Sequence, residues 1–399
     1  MSINRIEQTR RKLLSQGKKI INLSSGNPNE WGIFFKNKTV NSFIKKYFAS
    51  SPAYEPLPFG NYGTRLSLQN FTSPPSPLAV LKGVPKKTNQ IKAENIALTS
   101  GTSESYFHLF RILNGEILLP RPGYPLFNEI ARLSQTNLKW YDLDPQSRWQ
   151  INEANLTKNI TDKTKAIVLV SPNNPTGTVL NKKSLQTVIK IAEQKNLSII
   201  SDEVFCEYFF EKGKFPHIMS LKTNVPIYTL NGISKTYALP GYKLGWIMMK
   251  NVTEETKEEL ERSLDALLSS NQIAQALLPV LLKNGANFIA KNTQRLKQNR
   301  QTMKDVFSQI KDLNYQPCQG GFYTFIHIKN LPTDDETFTI KLMEKTGIFV
   351  HPGYFYDYDN QGHNNKENIY IVISLLPPPA QFKKYLTQIK NFIQEVRMS

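Results

Sequence analysis

Short β-branched runs alternate along this chain with segments whose apolar residues recur at helical spacing. The runs Ile96–Thr99, Ala166–Val170, Leu197–Ile200 and Ile227–Leu230 each end in a polar loop. Between them, Tyr106, Leu109, Phe110 and Leu113 fall at i, i+3, i+4 and i+7, as do Leu185, Val188, Ile189 and Ala192. That spacing predicts amphipathic helices. Strands alternating with helices predict βαβ units, hence an α/β fold whose mostly parallel sheet is sandwiched by helices.

Beyond about residue 275 the pattern changes. A long helical stretch runs through Pro279, a position expected to kink it. An apolar strand follows at Gly321–Ile328, then a helix closed by Gly347 as its C′ residue, and strands at Ile348–Val350 and Tyr370–Ser374. The last helix carries one apolar stripe of Phe382, Tyr385, Leu386, Ile389, Phe392 and Val396. These elements form a smaller α+β unit joined by the amino-terminal segment. The expected division is a large domain over 46–284 and a small one of 1–45 with 285–399. The Pro/Ser-rich stretch 71–87 reads as a surface loop.

Composition narrows the function classes. The net charge of +18 invites a nucleic-acid reading, but the lysines are dispersed and no zinc-finger or RNA-recognition signature occurs. No nucleic-acid partner is expected. No apolar run approaches the roughly 20 residues that span a bilayer, and the amino terminus lacks a signal-peptide pattern. Cys206 and Cys318 are the only cysteines and make no metal-spacing motif. A cytoplasmic protein without a membrane partner or metal is expected.

The chemistry sits in the loops after the strands, where ligands bind in open parallel sheets. After the first comes Ser100-Gly101-Thr102-Ser103-Glu104, opening a helix whose free N–H groups suit a phosphate. Capping by Thr102 or Ser103 would explain it equally well. Next is Ser171-Pro172-Asn173-Asn174-Pro175-Thr176-Gly177, otherwise a rigid turn before a helix that Asn181 caps. Then comes Asp202-Glu203-Val204-Phe205, and last Asn231-Gly232-Ile233-Ser234-Lys235, running on to Lys243 and Gly245. Each alone has a bland explanation; the four in this order do not.

Together these motifs resemble the class I/II aminotransferases, fold type I enzymes that use pyridoxal 5′-phosphate, over nearly the whole chain. The resemblance implies a seven-stranded large sheet and assigns roles. Lys235 would form the Schiff base to the cofactor and act as the catalytic base. Asp202 would pair with the pyridine nitrogen, and Asn174 would donate to the ring hydroxyl oxygen. Tyr124, in Pro122-Gly123-Tyr124-Pro125, would stack on the ring. Gly101, Thr102, Ser103, Ser234 and Lys243 would surround the phosphate. Tyr54 would reach the phosphate of a neighbouring subunit, which implies a homodimer with sites at its interface.

Four positions depart from the family pattern. Phe205 stands where a tyrosine is usual, Gly232 where a phosphate-binding serine is, and Lys243 in place of an arginine, keeping the charge without the bidentate fork. On the strand that normally carries the arginine clamping the substrate carboxylate, Val372 takes that place. The nearest cationic candidates are Lys366 and His351. The expectation is an aminotransferase acting on an atypical amino acid or amine. The alternatives are lyase, cyclase, decarboxylase or oxidase chemistry on the same cofactor, or a non-catalytic sensor that binds it.

Overall fold

The computed structural model describes residues 4–36, 38–72, 91–310, 312–358 and 368–398. The expected surface loop lies mostly outside them, as does Lys366. A two-residue strand, β1 (Ile21–Asn22), comes first. The large sheet then contains β2 (Ile96–Thr99), β3 (Glu116–Arg121), β4 (Asn137–Asp144) and β5 (Gln150–Ile151), followed by β6 (Thr164–Val170), β7 (Ser198–Asp202), β8 (Ile227–Gly232) and β9 (Gly245–Lys250). Their spatial order is β2-β9-β8-β7-β6-β3-β4-β5.

The core pairs β4–β3–β6–β7–β8 are parallel, while β9 runs antiparallel to both of its neighbours. Among the described residues the sheet has eight strands, one more than the seven expected. The short β5 pairs antiparallel with the end of β4 and gives no periodic signal in two residues. Side chains alternate between two cores, as the pleat requires. Ala166, Val168, Val170 and Ile200 pack in one core with Tyr106, Leu109 and Phe110 of the helix Thr102–Leu113. Ile167, Leu169 and Ile199 pack in the other with Leu185, Val188, Ile189 and Ala192 of the helix Lys182–Lys195. Asn181 caps that helix, accepting from the Ser184 N–H at 2.9 Å.

The second sheet is antiparallel. Chain order gives β10 (Leu313–Asn314), β11 (Tyr323–Lys329), β12 (Ile348–Phe349), β13 (His351–Pro352) and β14 (Asn368–Ser374). Its spatial order is β10-β11-β14-β13, while β12 pairs in parallel with β1. The amino-terminal segment is bound in here: the Ser374 N–H donates to Leu23 O at 2.7 Å and the Leu23 N–H to Phe349 O at 2.8 Å. The larger core runs without interruption from Ile167 and Leu169 to Phe325, Val372 and Ile373. Gly347 closes the helix Asp335–Thr346 at φ 73°, as its sequence position predicts.

The long helical stretch bends elsewhere than expected. Pro279 lies inside the helix Gln272–Asn284, and the chain turns by 71° at Gly285 into the helix Ala286–Phe307. A Cβ at Gly285 would lie 2.2 Å from the Tyr237 ring, so the bend follows the tight seat of this glycine rather than the proline. Among the described residues no single helix is long and apolar enough to cross a membrane.

Candidate active site

Three strand ends converge. Asp202 closes β7 with its carboxylate buried, accepting from the Tyr106 hydroxyl at 3.1 Å and the Val204 N–H at 2.9 Å. Burial pushes this carboxyl up to about 6, against the pull of the Val204 and Tyr106 hydrogen bonds. One turn past β8, the Lys235 amine donates to Gly26 O at 2.9 Å. Burial pulls this amine down to about 8, opposed by the charges of Asp202 and Glu30. Only the unprotonated amine attacks a carbonyl, and the lowered pKa raises its fraction near neutral pH.

The turn after β6 shows how neighbouring asparagines divide the work. Asn173 Oδ1 accepts from the Thr176 N–H at 3.0 Å and its hydroxyl at 2.8 Å, which builds the turn. Asn174 is left outside that scaffold, and its buried Oδ1 has no hydrogen-bond partner. A buried polar atom without a partner calls for an explanation. A hydrogen-bond donor on a bound ligand would supply one.

Above them, Gly101 is the N-cap of the helix Thr102–Leu113 and carries no side-chain cap. The capping explanation for Thr102 and Ser103 therefore fails. Gly101 has φ 141° and faces open space, leaving first-turn N–H groups for an anion. The Ser103 side chain pulls the Tyr124 phenol down against the rise that burial imposes, so the phosphate loop and the ring-stacking candidate are neighbours. Ser234 is half-buried beside Lys235, and Lys243 is exposed in a left-handed conformation at φ 52°.

Gly232 has a structural reason for lacking a side chain. Its Cβ would meet Leu244 O at 2.8 Å and Gly245 Cα at 3.1 Å, both backbone atoms of the paired strand. A serine does not fit there without moving β9.

The opposite wall comes from the second sheet. Val372 is fully buried and faces His351 across the β13–β14 register. Burial pulls the His351 imidazole down to about 4, and its Nδ1 shares a hydrogen bond of 3.0 Å with the Tyr356 hydroxyl. His351 is therefore neutral and supplies no cation, contrary to its candidacy as a carboxylate partner. Phe205 is buried edge-on to Phe322 at 5.0 Å and Tyr323 at 6.0 Å. Tyr54 stands apart, 69% exposed.

The sequence reading missed Tyr106, Glu30, Tyr323 and Tyr356. Tyr106 reads only as an apolar helix position, and Tyr323 as one aromatic in a buried strand. Their hydroxyls matter through contacts at long sequence separation, which no local pattern carries.

The family model for aminotransferases of class I and II matches residues 18–365. Tyrosine aminotransferase of Mus musculus is 27% identical over 355 residues, covering 86% of this chain and 76% of that protein. An S-alkyl-thiohydroximate lyase of Arabidopsis thaliana is 31% identical over 282 residues, covering 66% of this chain and 60% of its own. The solved alanine aminotransferase of Pyrococcus furiosus superposes with a TM-score of 0.86 at 23% identity, covering 98% and 96% of the two chains. At that identity the superposition establishes the fold.

Proposed function

The chain belongs to the class I and II aminotransferase family, and from that premise we propose that it transfers the amino group of a donor lacking a free α-carboxylate, with Lys235 as the cofactor-bearing lysine. The family depends on pyridoxal 5′-phosphate, which when bound supplies an aldehyde for amines and a ring that accepts electrons. The residues fit this group: a buried amine with a lowered pKa, a buried carboxylate, an Asn174 amide not used by the turn and an uncapped helix start.

In this reading Lys235 Nζ would hold the cofactor and, once released, would take the proton from the amine-bearing carbon of the donor. Asp202 would hold a positive ring nitrogen, and that charge would lower the carboxyl against the rise that burial imposes. Asn174 orients the ring oxygen and Tyr124 covers the ring face. Gly101, Thr102, Ser103, Ser234 and Lys243 bind the phosphate. Tyr54 serves a partner's phosphate in a homodimer, a role supported by its exposure and that of Phe48, Leu57 and Tyr62.

The substrate claim is carried by Val372, buried and apolar at the place that the resemblance to the family assigns to an arginine. His351 is neutral, and the charges acting on Lys235 are those of Asp202 and Glu30. A carboxylate buried there without a cation costs several kcal/mol. The test is a panel of amines and α-amino acids, each followed by the spectral change of the bound cofactor in a half-reaction. Fast reaction with ordinary α-amino acids and none with amines would refute the donor assignment.

A second reading keeps the cofactor and changes the bond broken to that of a lyase, on the strength of the Arabidopsis relative. Turnover without any keto acceptor, releasing a fragment of the substrate, would select it.

A further inference from the structure

We propose that the Tyr323 hydroxyl recognises a neutral hydrogen-bonding group, a hydroxyl or carboxamide, carried on the carbon next to the amine-bearing carbon of the substrate. This inference rests on the carboxylate-free donor argued above and names what replaces the carboxylate.

Gly26 lies between Lys235 and Tyr323. Its carbonyl accepts the lysine amine at 2.9 Å. On its other side, a Cβ at Gly26 would come within 1.6 Å of Tyr323 Oη, so the phenol oxygen abuts the residue the lysine touches. Tyr323 is 8% exposed, and its ring is held by an edge contact with Phe205 at 6.0 Å. Among the described residues its hydroxyl forms no hydrogen bond. Although its ring is buried, the hydroxyl is not one of the enclosed unpartnered polar atoms of the described residues, so it borders open space where a ligand can meet it.

The surroundings decide which ligand. Behind the phenol, Tyr356 Oη is occupied by His351 Nδ1, and His351 sits opposite Val372. Burial, with Tyr124 and Glu30 adding negative influence, keeps the Tyr323 phenol protonated far into the alkaline range. Among the described residues, His351, Tyr356, Tyr323 and Val372 therefore offer this wall neutral groups and no countercharge. A phenol both donates and accepts, which matches a hydroxyl or carboxamide. A carboxylate would use only the donor and would face Glu30. A methyl group would leave the phenol unpaired, and sites built around a polar group reject analogues that lack it.

The experiment compares three substrates on the holoenzyme: a primary amino alcohol, the alkylamine with methyl replacing hydroxymethyl, and the corresponding α-amino acid. The wild type is expected to favour the alcohol in kcat/KM by about tenfold or more over the alkylamine. Tyr323→Phe keeps the ring against Phe205 and is expected to erase that preference by slowing the alcohol alone. Calorimetric binding of the alcohol to Lys235→Ala, with and without Tyr323→Phe, should show the same loss without relying on turnover. A wild-type preference for the α-amino acid overturns the donor assignment and this inference together. An alcohol preference that persists in Tyr323→Phe overturns this inference alone.

Discussion

The ends of β6, β7 and β8 and the face of β11, β13 and β14 meet around one lysine, yet they carry opposite kinds of chemistry. The first wall is ionic and directional: a buried carboxylate, a buried amine with a lowered pKa, an amide oxygen without a partner and an uncapped helix start. The second is neutral, built of Val372, Tyr323, Tyr356 and an imidazole held unprotonated. The two walls therefore make separable demands. The first suits a dianionic, aromatic cofactor whatever amine arrives. In the proposed function the second screens the amine, and its described residues do so without a cation. Changing the reaction's partners on such a scaffold requires altering one wall only.

The sharpest way to break this division is Lys235→Ala. Turnover should fall by about 10,000-fold or more, as when a nucleophile and proton carrier are removed together. The cofactor should remain bound but not be trapped by borohydride. Mass spectrometry that finds the reduced adduct of the native protein on another lysine would remove the first wall from the argument.

Val372→Arg tests the second wall. A guanidinium should raise kcat/KM for α-amino acids relative to the preferred amine by about tenfold or more, the scale of a charge-assisted hydrogen bond. A ratio that does not move means residue 372 does not face the substrate.

Gly232→Ser asks whether the serine common in the family can be restored. The clash with Leu244 O predicts a loss of about 1–3 kcal/mol in stability, read as a lower Tm, and no gain in cofactor affinity. Tighter cofactor binding at unchanged Tm would contradict it.

The smallest effect is one of pH. With Lys235 drawn down to about 8, reconstitution of the cofactor-free protein should accelerate about tenfold per pH unit up to that point and level off above it. The unprotonated amine is the reactive species, so the rate follows its fraction. A midpoint near the 10.5 of an ordinary lysine would mean that the amine is solvated.

Much of the first wall was legible from the chain because each of its residues lies in a loop immediately after a strand. Asn174, Asp202 and Lys235 are positioned by local geometry: a turn built by Asn173, a strand end and a single helical turn. The second wall depends on register between distant strands. That His351 faces Val372 and that Tyr323 abuts Gly26 follow from pairings across the antiparallel sheet and from the bound amino-terminal segment. Burial decides the protonation of His351, and burial is a property of the assembled core. The misplaced kink has the same origin: Gly285 is fixed by the ring of Tyr237, a contact with no local signal.

One contact ties the walls together. The N–H of Gly123, beside Tyr124, donates to Tyr356 O at 3.0 Å, and Asn128 Nδ2 reaches Asp357 at 3.2 Å. The loop that carries Tyr124 thus hangs from the residue that holds His351. Thermodynamic reciprocity then applies: if an occupied ring site steadies the Tyr356 loop and so favours the amine, a bound amine must slow cofactor loss by the same equilibrium factor. Retention of the prosthetic group would thereby become a readout of substrate identity, so that a poor amine is recognised by how readily the protein sheds its cofactor.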